Sequence, residues 1–202
     1  VTNPPNHIVE ADNGQPNLLL INDGNGVFTN EATERGFVHN DWTYAAGFAD
    51  VDQDNDQDIY LANDWGINRF HINDGKGFFT ESAAAYNLAH PGAGMGVLWT
   101  DMDGNGDLDL YVSNMYSNAG NRILPFAKPM ATDVQEALLA SAGGNNAFLN
   151  PAPGKTYDSA KQLDLHDGGW AWGAIAFDSD LDGDEDLYQT NGYFTGNKPK
   201  DL

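Results

Sequence analysis

Residues 99–115 read WTDMDGNGDLDLYVSNM, and the arrangement returns at 48–64 as FADVDQDNDQDIYLAND and at 176–192 as AFDSDLDGDEDLYQTNG. Each copy has an aromatic or small apolar lead-in, then D-x-D-x-[DN]-[GN]-D-x-D, an apolar pair, two further residues and Asn. The leading carboxylates are Asp50, Asp101 and Asp178. Three copies in one register mark a repeat protein, in which each unit buries its apolar face only against its neighbours.

Two further elements recur around each loop. A small-residue stretch precedes it: TYAAGF, GMGVLW and AWGAIA, carrying Gly47, Gly96 and Gly173. A hairpin pattern lies between loops, NLLLINDGNGVFTNEAT at 17–33 and NRFHINDGKGFFTESAA at 68–84. Its turns, Asn22-Asp23-Gly24 and Asn73-Asp74-Gly75, sit between apolar runs, which is a strong hairpin signal. NNAFLNPAPGKTYDSAK at 145–161 is a weaker copy, with Pro151-Ala152-Pro153-Gly154 at the turn. One module therefore reads as a Gly-rich strand, an Asp loop, a short strand ending in Asn, a variable link and a hairpin. About four short strands in tandem modules predict an all-β fold of propeller-type blades. The modules fall at about 1–47, 48–98, 99–175 and 176–202 of a single domain spanning 1–202. Inward positions are expected to include Leu18, Leu20, Phe70, Ile72, Val97, Trp99, Ala174 and Ala176.

The longer second interval holds an insertion at about 122–144, bordered by Pro125, Pro129 and Gly143. Thr132-Asp133-Val134-Gln135 reads as a capping box and Gly143-Gly144 as a stop, predicting one helix near 132–142. Val1-Thr2-Asn3 aligns with Leu61-Ala62-Asn63, so the sequence starts and ends in the same phase of the repeat. Closed propellers need ~4–8 blades, so the expectation is a partial or open stack of blades.

Fifteen of the 30 acidic residues fall in the three loops. Carboxylates ~4–5 Å apart repel by on the order of one to a few kcal/mol per pair, so folding them together calls for a cation. Hard oxygen donors select a hard cation, and ~6–7 oxygens per loop, water included, suit Ca²⁺ better than Mg²⁺. The expected ligand positions are Asp50, Asp52, Asp54, Asp56 and Asp58; Asp101, Asp103, Asn105, Asp107 and Asp109; and Asp178, Asp180, Asp182, Asp184 and Asp186. That predicts about three Ca²⁺ per chain. Asn55, Gly106 and Gly183 fill the sixth position, where a left-handed turn is expected. An EF-hand also opens D-x-D-x-D-G, but it needs Glu at position 12 and flanking helices; here position 12 is Leu61, Val112 or Gln189, followed by strand-like sequence.

Composition narrows the partners. Nine Lys plus Arg against 30 Asp plus Glu give a net charge of −21, which argues against nucleic acid and anionic membrane surfaces. No apolar run reaches the ~18–20 residues of a membrane span. A mean hydropathy of −0.49 would permit disorder, but 10 Phe, 8 Tyr and 5 Trp are too many for a solvated tail. There is no Cys, which excludes disulfides and thiolate sites, and no N-x-[ST] sequon. Val1-Thr2-Asn3-Pro4 shows no signal peptide, and a mature or truncated chain would read the same.

The Asp loops, the preceding glycines and the Leu-Tyr-Val…Asn strands resemble the FG-GAP or VCBS repeat of integrin-α-type propellers. GMGVLWTDMDGNGDLDLYVSNMYSNAGNRI, the inserted helix and GWAWGAIAFDSDLDGDEDLYQTNGYFTG are similar to the cartilage acidic protein 1 and ASPIC/UnbV group. The resemblance implies a seven-bladed propeller with Ca²⁺ in its blade loops, usually extracellular, and carries the metal role to the Asp positions above. Measured against that family, the 202 residues are expected to hold about half of the blades and not the following C-terminal domain.

Other features carry less. The histidines His7, His39, His71, His90 and His166 form no i, i+4 pair, and His71 reads as a surface or packing residue. Gly92-Ala93-Gly94-Met95-Gly96 lacks nucleotide-loop spacing and reads as a close-packed inner strand. Trp42, Trp99, Trp170 and Trp172 recur near the Gly-rich strands and read as inter-blade packing, with a sugar platform as the minority reading. No catalytic set can be assembled. The expectation is a non-catalytic, extracellular Ca²⁺-binding structural or interaction module with an unidentified protein or glycan partner. Alternatives are a subunit that assembles head to tail into an oligomer or filament, and a carbohydrate-binding or carbohydrate-active propeller.

Overall fold

The computed structural model describes residues 11–127 and 131–192; Val1-Thr2-Asn3, His7 and Pro129 lie outside that range. Eleven strands are found there: β1 (Leu20–Asn22), β2 (Phe28–Asn30), β3 (Thr43–Ala49), β4 (Asp58–Asn63), β5 (Arg69–Asn73), β6 (Phe79–Glu81), β7 (Gly94–Thr100), β8 (Asp109–Asn114), β9 (Asn146–Phe148), β10 (Ala171–Phe177) and β11 (Asp186–Asn191). All pairing among them is antiparallel. The sheets are β1–β2, β3–β4–β5–β6, β7–β8–β9 and β10–β11, and no closed ring of sheets is found among the described residues.

Each Gly-rich stretch is a strand, and each Asp loop is the turn of a hairpin into the next strand. The three hairpins share one register: Ala49 faces Asp58, Thr100 faces Asp109 and Phe177 faces Asp186. Each also has a register shift at its far end, after Thr43, Gly94 and Ala171. The first copy, residues 43–81, has the expected four strands. In the second, the fourth strand shrinks to a single bridge, Phe148 to Asp158. Pro151 and Pro153 replace the turn there and bring no N–H donor; Thr156 Oγ1 instead bonds both the amide and the carbonyl of Ala152.

Two cores separate three sheets. Tyr60, Phe70, Tyr86 and Leu88 meet Leu110, Val112 and Phe148 between the first and second copies. Tyr111, Ala147 and Ala160 meet Leu98, Ala174 and Leu187 between the second and third. The Gly-rich strands approach closely: a Cβ on Gly47 would lie 2.4 Å from Val97 Cγ1, and one on Gly96 would lie 2.8 Å from Gly173 Cα. The inner-strand reading of 92–96 therefore holds from Gly94 onward, while Gly92 and Ala93 precede the strand. Trp99 packs across the first interface, 6.5 Å from the Tyr60 ring and 6.3 Å from Phe70.

Of the expected inward positions, Phe70 is fully buried. Ile72, Val97 and Trp99 are half-buried against the first core and Ala174 against the second, with Ala176 also half-buried. Leu18 and Leu20 are instead exposed, because β1 and β2 stand as a two-stranded sheet with no inner strand beside β1 among the described residues.

The insertion sits between β8 and β9 and leaves their ladder intact. It holds more than the one expected helix: α1 (Asn118–Ile123), a 3₁₀ turn (Leu124–Phe126) and α2 (Thr132–Ser141). Its base is closed by Ser117 N–H donating to the Ala142 carbonyl at 3.1 Å. The capping box does not form. Thr132 is already helical, Ala131 is the cap residue, and Gln135 Nε2 donates to the Leu124 carbonyl of the 3₁₀ turn at 3.0 Å.

Candidate metal centre

The loops fold on their own carboxylates. Position 1 accepts the amides of positions 5 and 6: Asp50 from Asp54 and Asn55, Asp101 from Asn105 and Gly106, Asp178 from Asp182 and Gly183. Position 5 accepts the amide of position 7 through Asp54, Asn105 and Asp182. Position 9 reaches back to the amide of position 2: Asp58 to Val51 at 3.1 Å, Asp109 to Met102 at 2.8 Å, Asp186 to Ser179 at 3.0 Å. One bonding scheme is thus written three times.

Position 6 is left-handed as expected, with φ of 73° at Asn55, 93° at Gly106 and 97° at Gly183. Position 4 is left-handed too, at 61° for Gln53, 71° for Gly104 and 65° for Leu181. Sequence reasoning missed this, since only the second loop has glycine there and Leu is a poor left-handed residue.

The folding gathers carboxylate oxygens into three groups: Asp50 with Asp52 and Asp54, Asp101 with Asp103 and Asp109, and Asp178 with Asp180 and Asp182, each set within 4.8 Å. Asn105 completes the corresponding position of the second loop through its backbone and side-chain bonds. Asp56, Asp58, Asp107, Asp184 and Asp186 lie outside these triplets. Asp107 Oδ1 accepts a bond from Gln53 Nε2 at 2.7 Å, which ties the first loop to the second. Clefts of about 190 Å³ and 320 Å³ separate first from second and second from third loops, so all three share one side of the molecule.

The electrostatics are those of a site short of positive charge. Burial, then the charge of Asp54, raises Asp52 and Asp56 above the ordinary carboxylate range. Both Asp56 oxygens are shielded from solvent and have no partner in hydrogen-bond geometry. Burial pushes Asp58 up to about 6 against the pull of the Asn73 and Val51 amides, and raises Asp109 against those of Asn150 and Met102. Asp186 is exposed, and the hydroxyl and amide of Ser179 lower it. Neither ion pair among the described residues, Arg35–Glu31 or Arg69–Asp41, reaches a loop carboxylate. The donor set of the three triplets is all carboxylate oxygen, with the Asn105 amide oxygen beside the second, and it fits a hard divalent cation.

The hairpins brace the first two loops, which the sequence reading did not foresee. Asp58 Oδ1 accepts the Asn73 amide at 3.0 Å and Asp109 Oδ1 the Asn150 amide at 2.8 Å. At the other end, Asn68 Oδ1 accepts the Asn63 amide and Asn145 Oδ1 the Asn114 amide. The recurring Asn at the head of each hairpin pattern was the available signal.

Of the remaining residues singled out by sequence, His71 is buried, its ring centroid 4.5 Å from that of Phe37, and acts in packing. Trp42 Nε1 donates to Asn13, and Trp172 Nε1 to the Gly192 carbonyl.

Comparison with curated proteins finds no match. The family model described as an FG-GAP-like repeat matches residues 50–112, from the head of the first Asp loop to the strand after the second. Over that stretch the chain is similar to an FG-GAP-like repeat.

Proposed function

We propose that this protein is a non-catalytic structural or interaction module of propeller-type blades, held in shape by about three Ca²⁺ ions in its Asp loops and working outside the cell. The observation that carries the reading is the threefold recurrence of one loop, each copy gathering carboxylates within 4.8 Å. Asp50, Asp52 and Asp54, Asp101, Asp103 and Asp109, and Asp178, Asp180 and Asp182 would hold the ions. The cation would neutralise carboxylates that the folded loops gather, and so couple loop closure to binding.

FG-GAP-like repeats are common in extracellular proteins and are typically non-catalytic, which supports the location and the absence of chemistry. No helix among the described residues is long and apolar enough to cross a membrane. Affinities in the ~10⁻⁴–10⁻³ M range of extracellular modules would suffice where Ca²⁺ is millimolar. The similarity to the cartilage acidic protein 1 and ASPIC/UnbV group belongs to the same proposal and rests on the strings around the second and third loops.

Thermal unfolding with Ca²⁺ and with chelator tests the reading. Ca²⁺ should raise the melting temperature in a concentration-dependent way. Identical melting curves in both conditions would contradict it.

A further inference from the structure

The three hairpins that carry the Asp loops are equivalent residue for residue, so the surroundings of each can be compared. Tyr60, Tyr111 and Tyr188 occupy the same position. Tyr60 is buried with its ring against Trp99 of the next sheet, and Tyr111 is buried with its hydroxyl on Gln189 of the next sheet. Tyr188 is 59 % exposed, as is Ile175 beside it. At the opposite end Tyr44 and Phe48, equivalent to Met95 and Trp99, are each 58 % exposed. The two ends of the stack are therefore the two halves of an interface already formed twice inside the chain.

The strands show the same complementarity. Among the described residues β10–β11 has inner strands and no outer hairpin, while β1–β2 is an outer hairpin with no inner strands. β1–β2 is nonetheless already placed as an outer hairpin should be. The turn after it docks on the β5–β6 hairpin through Phe79 N–H on the Arg35 carbonyl, as the turn after β6 docks on the next copy through Gly154 N–H on the Ala85 carbonyl.

We propose that copies of this chain associate head to tail, the β1–β2 hairpin of one copy adding to the edge of β11 in another, an edge with no strand partner among the described residues, to complete a four-stranded unit. In the complete unit Ile59 faces His71, Tyr60 faces Phe70 and Leu61 faces Arg69. The same register sets Leu187 against Leu20, Tyr188 against Leu19 and Gln189 against Leu18. It covers the exposed Leu18 and Leu20 and lays Tyr44 and Phe48 of one copy on Ile175 and Tyr188 of the other.

The partner copy also completes the third Asp loop. Asp58 and Asp109 are braced by hairpin amides, those of Asn73 and Asn150, whereas Asp186 accepts bonds only from Ser179 among the described residues. Asn22 is the equivalent of Asn73 in the shared Ile-Asn-Asp-Gly turn, and its amide is the one the register brings to Asp186. A net charge of −21 per copy opposes association, so contact strengthens with ionic strength, which shortens the ~10 Å screening length at 0.1 M. The contact is heterologous: it closes a ring or extends a filament according to its rotation.

Sedimentation velocity of the 202-residue chain in Ca²⁺ at moderate salt tests this with Leu20→Asp, which blocks the β1 face, and Tyr188→Asp, which blocks the β11 face. Both side chains are exposed in the single copy, and circular dichroism checks each fold. A variant that fails that check is replaced by Leu18→Asp or Ile175→Asp on the same face. The wild type should show species above 21.9 kDa that grow with concentration, and each variant alone should stay at 21.9 kDa. Mixed, the two variants should form one species of twice that mass and nothing larger. A wild type that stays at 21.9 kDa throughout, single variants that still associate, or a mixture that stays monomeric would each overturn the proposal.

Discussion

Glycine at the inner strands works by what it leaves out. Gly96 lies where a Cβ would meet Ser113 Oγ at 2.6 Å and the backbone of Gly173 at 2.8 Å. Gly96→Ala should therefore cost about 1–3 kcal/mol, the range of overpacked cores, read as a lower denaturation midpoint with unchanged slope. His71 makes a second residue-scale prediction. Burial holds its ring well below the ordinary value, at about 4, and both ring nitrogens are buried without partners. The unfolded chain takes up a proton near pH 6.5 while the native ring stays neutral, so this stability is complete above 6.5. It is lost as pH falls from 6.5 towards 4, by about 3 kcal/mol. His71→Phe should flatten that limb of the stability profile; a variant with the wild-type slope would show that other groups govern it. His71 alternates in a hairpin pattern, which made a packing role legible, but its full burial depends on Phe37 from another unit and no local pattern carries that.

At the scale of elements, protection should follow position in the sheets. β4 and β8 are buried along their whole length as central strands, whereas β1, β2 and β11 have one strand partner each among the described residues. Amide hydrogen exchange at protein concentrations low enough to keep the chain monomeric should be slowest in β4 and β8 and fastest in β1 and β2. Uniform exchange across the strands would contradict this order. The hairpins were legible because Asn-Asp-Gly marks the turn, and both close on Asp23 and Asp74 carboxylates accepting loop amides. The fourth strand of the second unit was uncertain because two prolines stand in its turn. α1 was invisible because its sequence, NAGNRI, combines glycine and two asparagines, weak helix formers held by a Ser117 cap. The capping box misled because Gln135 finds a better partner in the 3₁₀ turn than in its own helix end.

The whole molecule is a short series of similar units, and its repeat was legible because the Asp loops recur in strict register. Which faces are covered was not legible: Leu18 and Leu20 alternate as buried positions should, yet burial depends on which strand lies alongside. The carboxylate clusters were legible as residues, while the left-handed fourth position and the bracing of Asp58 and Asp109 by the hairpins needed the folded chain. The account stands on divalent cations occupying those clusters. Its most direct test is the metal content of the protein after equilibrium dialysis against Ca²⁺, beside the Asp101→Ala variant. The account predicts about three Ca²⁺ per wild-type chain and one fewer in the variant; a protein that retains no Ca²⁺, or a variant that retains as much as the wild type, would contradict it.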